Sequence, residues 1–443
     1  MTLRKSGAPT LSLLGSPPQD PRGVGAGPVS PPPASLSSAN DLPSAAPRRG
    51  ARIIDYQPAQ RPRVLALFRR HFGQRYAERL AAQWDWQFVD NPFARERPPL
   101  LSLLETDEGA IVGALLGHPV PLRFRGLRAV ALCGGGLVID PSYRLHCLYL
   151  LRRHLAEPPG VTGGLVIQVR ELYERCGAVF VPATRRRYVL NVRDQGARCL
   201  RARERIGAGI KLASQHIPLR LERLRLGARV AGWTIPRISV RLVGFASGQW
   251  RKPAAYDADG GPTRDCDIRS IERFDAGYDE LWKRVGTSFE CTIERDSTYM
   301  NWRYVEAPHH HPIRLGLYER GRLAAVAIAT HWTEKDFLGD PCAVHADIVE
   351  LLAEDLESSS VMQLVQELLR ALDRRHRVDT VGAFACSPQY SSLFTRLGFE
   401  AKEDPRFAMA VNWSGDVSEQ SLNHRLSWYA SSSDTDCLYA CSL

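Results

Sequence analysis

The residue types that most readily carry chemistry are poorly clustered in this chain. His309, His310 and His311 have metal-ligating rings, but three adjacent side chains point in different directions, and no cysteine or carboxylate stands at helical ligand spacing from them. The ten cysteines are scattered and none forms a C-x-x-C pair. Cys437 and Cys441, the only close pair, lie in a polar C-terminal stretch. No zinc framework or other metal site is expected. In a chain with no export signal the thiols are expected to be reduced and mostly buried. Glu105 and Asp140 fall near expected strand ends, where a general base can stand, but a carboxylate there is more often ordinary surface, and no base is assigned.

The sequence repeats itself. "DWQFVDNP" at 85–92 is answered by "NWRYVEAP" at 301–308, so Trp86 matches Trp302, Phe88 matches Tyr304 and Val89 matches Val305. "ELYERCG" at 171–177 is answered by "SLFTRLG" at 392–398 at nearly the same offset. Two echoes in the same order imply duplication of one domain, and the period is far too long for a solenoid.

The elements follow the same order in each half. In the first, "ARIIDY" (51–56) is expected to be a strand, 62–73 and 77–90 helices, and 100–117 a hairpin split by a polar turn. Further strands over 120–140 lead to a helix at 141–157, a strand at 163–169, a short helix at 170–177 and a closing strand "YVLNV" at 188–192. In the second, a strand at 266–274 precedes helices at 277–286 and 296–306. A hairpin at 313–329, a strand at 343–352, a serine-capped helix at 358–376, a strand at 378–386, a helix at 389–398 and a last strand at 406–413 complete it. Each half is thus α+β. Trp86 and Trp302 are expected to be core anchors at a helix end.

A chain of 443 residues, 44% of them hydrophobic, accommodates two such cores. No apolar run is long enough to span a membrane, and the N-terminal apolar patch is too short for a signal peptide. Residues 1–50 are a Pro/Ser/Gly-rich tail expected to be disordered, and 414–443 a second polar tail. From Arg185 to Lys252 stand 17 Lys and Arg against three acids, a local charge of +14 in a chain whose total is +10. The rest of the protein is therefore net acidic, and the basic segment (194–265) joins the repeats. Its stretch 197–232, arginines interleaved with Leu and Ile, suits an inter-domain helical connector or an anionic membrane surface. Aromatics for base stacking are almost absent there, so nucleic acid is not expected as a partner.

The order of elements, with "LVIDPSYRLHCLYLLRRHLAE" (137–157) and the two later helices, resembles the GNAT acyltransferase superfamily. Val138, Pro141, Tyr143, Arg144, Leu150 and Leu151 match its acyl-CoA motif V-x-P-x-Y-R-x-x-G-x-G-x-x-L-L, with the valine one residue farther from the proline. The resemblance covers 51–193 and 266–413. It implies two tandem GNAT-like domains, each a mixed sheet flanked by helices, joined by the basic connector. It also implies acetyl-CoA or another acyl-CoA as co-substrate. Leu137, Val138 and Ile139 would hold the pantetheine arm and the thioester carbonyl. Arg144, Leu145, His146, Cys147, Leu148 and Tyr149, at the helix start, would hold the pyrophosphate, since a helix N-terminus offers unpaired N–H groups and a positive dipole end. Tyr173 takes the place of the general acid that protonates the leaving thiolate.

Two departures stand out. Cys147 and Tyr149 replace the motif's glycines. In the second repeat, Phe394 stands where the acid tyrosine would be, and only Ser358–Ser360 mark the phosphate turn. The first repeat is therefore expected to carry N-acyl transfer to a small-molecule, sugar or peptide amine, in the cytoplasm or at the inner membrane face. The alternatives are a non-catalytic scaffold of the same fold and a Fem-type aminoacyltransferase using aminoacyl-tRNA.

Overall fold

In the computed structural model the two echoed phrases meet. Trp86 and Trp302 stack with ring centroids 4.8 Å apart and planes 19° from parallel. Trp86 Nε1 donates to the Trp302 carbonyl at 2.9 Å, and Trp302 Nε1 donates to the Trp86 carbonyl at 3.1 Å. Each half makes the same contact to the other, as in the self-complementary interface of a twofold dimer.

The structure describes residues 50–192 and 266–412, apart from 125, 157, 166–169, 177, 181–185, 309–310, 336–340, 386 and 403–407. Readings made for the N-terminal tail, the connector 194–265 (with 197–232), the C-terminal tail, and His309 and His310 lie outside these residues.

The first half comprises strands β1 (Ala51–Asp55), β2 (Leu100–Thr106), β3 (Ile111–Phe124), β4 (Leu127–Ile139), β5 (Gly160–Leu165), β6 (Val179–Phe180) and β7 (Arg186–Asn191). Its helices are α1 (Arg61–Phe72), α2 (Gln74–Trp84), α3 (Cys147–Leu155) and α4 (Arg170–Glu174). The second half comprises β8 (Cys266–Ser270), β9 (Cys291–Ile293), β10 (Ile313–Glu319), β11 (Arg322–Lys335), β12 (Pro341–Ala353), β13 (Thr380–Ala385), β14 (Glu400–Lys402) and β15 (Ala408–Asn412). Its helices are α5 (Ala276–Gly286), α6 (Ser297–Tyr304), α7 (Ser359–His376) and α8 (Pro388–Arg396).

Two mixed sheets with flanking helices result, one ordered β1-β2-β3-β4-β5-β15-β6 and the other β14-β7-β13-β12-β11-β10-β8. The long central strands are near-continuous apolar runs. Of the 14 residues of β3 all but Arg123 are buried, as a sheet covered on both faces requires. Helix starts follow their local chemistry. Asp275 and Asp296 accept from the Tyr278 and Tyr299 amides, Ser358 accepts from the Ser360 amide, and Pro62 sits in the first turn of α1.

The closing strands correct the sequence reading. "YVLNV" was expected to close the first sheet; instead β7 pairs antiparallel with β13 of the second, Val381 opposite Leu190. In return β15, from the end of the second half, lies between β5 and β6 of the first sheet. The alternation of apolar residues satisfies either sheet equally, so it cannot specify which one receives the strand. A further crossing is β9, which pairs with β3, Leu122 opposite Ile293.

Helix α2 runs into a π-helical turn, Asp85–Val89, which carries Trp86, Gln87 and Phe88 inward. Wide turns of this kind re-aim side chains and favour functional sites. Around the tryptophan pair, Phe93 meets Trp302 edge-on at 6.4 Å, and Trp86, Phe93, Val120 and Leu122 share one core with residues of the second half.

Trp86→Ala and Trp302→Ala are each expected to lower unfolding free energy by about 3–5 kcal/mol. The double variant should lose less than the sum, because each single change already breaks the shared stack and one hydrogen bond. Urea unfolding of the four proteins measures this; additivity would mean that the two rings act independently.

Candidate active site

The parallel pair β4/β5 opens partway along its length. Leu132 pairs with Gly160 and Cys133 with Val161, where the β4 ladder ends, while the other edge of β5 pairs with β15 from Gly160 to Leu165. Residues 134–139 continue beside β3 alone. There the register slips: Ala114 faces Val138, but Leu116 faces Gly135, so β4 carries one residue more than β3 over this step. Gly136 takes up the bulge with φ +63°, a conformation that L side chains seldom adopt. A Cβ at this position would also lie 3.3 Å from the Phe68 ring. The second half repeats the device, with Ile328 facing Glu350 and Ala329 facing Ile348.

Beside the first bulge lies a cleft enclosing about 450 Å³ of non-protein space, open solvent included. Gly135, Gly136 and Leu116 form its floor; Phe68, Tyr76, Arg79 and Leu80 of α1 and α2, with Gln83, Gln87 and Phe88, form its walls. Phe68 stacks on Tyr76 at 5.8 Å, and the half-exposed Phe72 lies 4.8 Å from Tyr76. Burial lowers the Arg79 guanidinium below the ordinary arginine value. Sequence reading overlooked this wall, because an arginine and two glutamines on an amphipathic helix read as a solvated face. One signal was present: Arg79 stands seven residues before Trp86, as Arg295 stands seven before Trp302.

The residues named from sequence divide between this bulge and the opposite face of the sheet. Val138 packs with Phe68, Leu80, Trp84 and Phe88 on the α1/α2 side. Leu137 and Ile139 face the other side, where they join Tyr173, Leu115, Leu150 and Leu151 in one cluster. Tyr173, 5% exposed, is thereby brought against the diverging part of β4. The helix start is not an open turn. Pro141–His146 is a 3-10 helix continuous with α3, in which the Tyr143 amide donates to the Asp140 carbonyl and the Cys147 amide to the Arg144 carbonyl. Arg144 and Leu145 are exposed, Leu148 is partly buried, and Tyr149, 40% exposed, lies on the surface. His146 is buried with Nδ1 3.1 Å from the Tyr143 carbonyl, and burial raises the Cys147 thiol. Phe394 is buried in the second half's core.

The two carboxylates weighed as bases are both engaged. Glu105 pairs with Arg52 and Arg63, and Asp140 with Arg70 and His71. Behind the cleft, Gln87 Nε2 lies 3.1 Å from Nδ1 of the buried His118. Burial, with Arg303 and His154 nearby, depresses His118 to about 3. His154 of α3 is 1% exposed and fits against Gly117; burial, with Arg97 adding to it, depresses it to about 4.

In the second half the equivalent space is occupied by the chain itself. Arg295 Nε reaches both oxygens of Glu350 at 3.0 and 3.1 Å, and Tyr304 Oη donates to Glu350 at 2.9 Å. Both charged side chains are fully buried. Arg295 also donates to Thr292 Oγ1 and to the Ile293 carbonyl. Burial pushes the nearby Tyr278 phenol well up.

No family model matches the chain, and no curated protein matches it. Among solved structures it is similar to a probable N-acyltransferase of Enterococcus faecalis (10% identity, 81% of this chain and 71% of that one, TM-score 0.47). It is also similar to N-myristoyltransferase of Saccharomyces cerevisiae with bound myristoyl-CoA (12% identity, 85% and 80%, TM-score 0.47). A third is a GCN5-related N-acetyltransferase of Kribbella flavida (15% identity, 81% and 70%, TM-score 0.43).

His118 and His154 stay neutral in the folded protein at pH 7 and at pH 5, whereas unfolded imidazoles take up protons below about 6.5. Their contribution to stability is therefore intact above pH 6.5. It declines as pH falls toward 4 for His154 and 3 for His118, by about 1.4 kcal/mol per histidine per pH unit. Urea midpoints at pH 7 and pH 5 should show a flatter pH dependence in a His118→Gln/His154→Gln variant than in wild type; an unchanged slope would remove the pair from this role.

Proposed function

We propose that the first half transfers an acyl group from acyl-CoA to an amine, with the cleft at Gly135 and Gly136 as the place where amine and thioester meet. The observation that carries this is the parting of β4 and β5 beside a bulge set by Gly136. The edge of β4 facing β5 leaves the ladder after Cys133, so backbone groups of residues 134–139 can bond a pantetheine amide and a thioester carbonyl. The resemblance to GNAT motifs supports the same use of these strands.

In the reaction, the amine nitrogen forms a C–N bond to the acyl carbon while the C–S bond breaks. The departing thiolate takes a proton from Tyr173, and the amine's surplus proton passes to solvent. Tyr173 lies on the sheet face opposite the cleft, packed with Leu137 and Ile139 of the parted stretch of β4, and is proposed to meet the sulfur where the thioester passes between β4 and β5. Arg144, exposed one turn from the α3 start, is free to approach a phosphate. Acetyl is the smallest donor to test, and the acyl length is part of the proposal to be measured. The protein is proposed to act in the cytoplasm, with 197–232 against an anionic membrane. No helix among the described residues is long and apolar enough to cross a membrane.

A second reading, binding without turnover, is favoured by the 3-10 turn at Pro141–His146, which bonds its own amides rather than holding them out.

Two measurements separate the readings. Acetyl-CoA, longer acyl-CoAs and CoA should each raise the melting temperature of the full chain, and Arg144→Glu should weaken that shift. Gly136→Val should abolish turnover, since it forces a side chain into the left-handed bulge and toward Phe68, and should cost about 1–3 kcal/mol of stability. Tyr173→Phe should lower the rate about 10²–10⁴-fold while leaving the CoA-induced shift in place. Binding without turnover for any amine would leave the second reading standing; no shift with any CoA compound would remove both uses of acyl-CoA.

A further inference from the structure

The π-helical turn at Asp85–Val89 buries three consecutive side chains: Trp86, Gln87 and Phe88 are 8%, 8% and 5% exposed. In a regular helix three neighbours fan out over about 200°, which leaves one of them facing solvent; the wider turn keeps all three inward. Trp86 goes to the Trp302 stack and Phe88 to the core under α1 and α2. Gln87 is set between them on the cleft wall. A buried amide is costly unless its groups are bonded, and only half of this one is. Its Nε2 lies 3.1 Å from His118 Nδ1; an amide nitrogen can only donate, so Nδ1 accepts. Its Oε1 takes no hydrogen bond from any described residue, and it is not sealed from solvent, so it opens on the cleft. The other polar residues of that wall, Tyr76, Arg79 and Gln83, are engaged within the protein. The second half supports the anchor. Arg303, which stands in the echoed phrase where Gln87 stands, is buried and lies over the Trp86 ring at 6.0 Å. Burial, and then the Arg303 charge, oppose protonation of His118, so an unprotonated ring nitrogen remains for the Gln87 amide.

We propose that Gln87 Oε1, its amide fixed by His118, receives an N–H of the acceptor amine in the cleft and keeps that bond in the amide product. The nitrogen then stands in the same cleft as Gly135 and Gly136. One N–H is held, and the lone pair is left to attack the acyl carbon. As the C–N bond forms the nitrogen becomes positive, and the contact to Gln87 strengthens into a charge-assisted hydrogen bond. The amide oxygen takes no proton; the surplus proton still passes to solvent. The arrangement selects primary amines. A primary amine loses one proton on acylation and keeps an N–H for Gln87, whereas a secondary amine or a hydroxyl gives up the only one it has. This deepens the acyl-transfer reading and rests on it for the word acceptor, although the N–H site itself does not require turnover.

The test uses the full chain without acyl-CoA. Calorimetry compares N-acetylphenethylamine with N-acetyl-N-methylphenethylamine, which has the same ring and acyl group but no N–H; the aromatic residues of the cleft, Phe68, Tyr76 and Phe88, suit the ring of both. The N–H compound is expected to bind about 10-fold more tightly, and Gln87→Met should erase that preference. His118→Leu should shrink it, because the amide can then turn its nitrogen to the cleft. His118→Asn, whose side-chain oxygen can accept in place of Nδ1, should restore it. Equal binding of the two compounds by wild type, no binding of either, or a preference that survives Gln87→Met overturns the proposal, and a preference unchanged by His118→Leu overturns the anchoring. The wild-type comparison holds even where a variant fails to fold. If the N–H preference runs through Gln87 while no acyl-CoA shifts the melting temperature, the acyl-transfer reading fails and the N–H site stands. If wild type and Gln87→Met acylate primary amines equally fast, acyl transfer stands and this proposal fails.

Discussion

The reciprocal stack of Trp86 on Trp302 is the constraint from which the rest of the arrangement follows. A tryptophan can satisfy its indole N–H on the partner's carbonyl while its ring lies on the partner's ring only if the two chain segments are related by a near-twofold rotation. Once this contact is made, the helix ends that carry it are fixed back to back. The two sheets that follow those helices are then brought close enough to exchange their last strands. The contact is deep in the shared core, so neither indole N–H has water to fall back on, and a displaced ring would leave a buried donor unmet.

The strand exchange gives that constraint a second hold. β7 lies between β13 and β14, and β15 lies between β5 and β6, so each sheet is completed by the other half. β9 adds a third crossing, reinforced by the Arg123–Glu294 ion pair beside it. The first half is therefore not a sheet with its own closing strand. β5 pairs with β15 from Gly160 to Leu165 on one edge, and with β4 on the other edge only at Gly160 and Val161.

Much of this order was legible in the sequence, for identifiable reasons. Helices α1 and α7 announced themselves through apolar spacing and through Pro62 and Ser358 at their starts. The repeat was visible because both copies of the phrase keep the tryptophan, an aromatic residue two places on and a proline six places on. What the sequence could not show was direction and partner. The alternation in 186–191 serves either sheet, and nothing in "DWQFVDNP" states that its tryptophan faces its own echo rather than its own hairpin. The resemblance placed the phosphate turn at the helix start, 144–149, where the family pattern has glycines. With Cys147 and Tyr149 in their place, the backbone of 141–146 closes into 3-10 turns instead. The cleft was missed because its polar wall looks like a solvated helix face until β4 is seen across from it.

The duplication left one side filled and the other open, and burial energetics explain why the difference is consequential. A fully buried Arg–Glu pair holds together well only when its remaining hydrogen bonds are met, and removing one member strands the other at a cost of about 3–5 kcal/mol. The second half meets that condition through Thr292, the Ile293 carbonyl and Tyr304, and in doing so uses up the space beside its bulge. In the first half the space beside the bulge is a cleft, lined by the partly buried Arg79 with Gln83 and Gln87. The same backbone device, one extra residue in a central strand, thus stands beside a buried ionic core in one copy and an open cleft in the other.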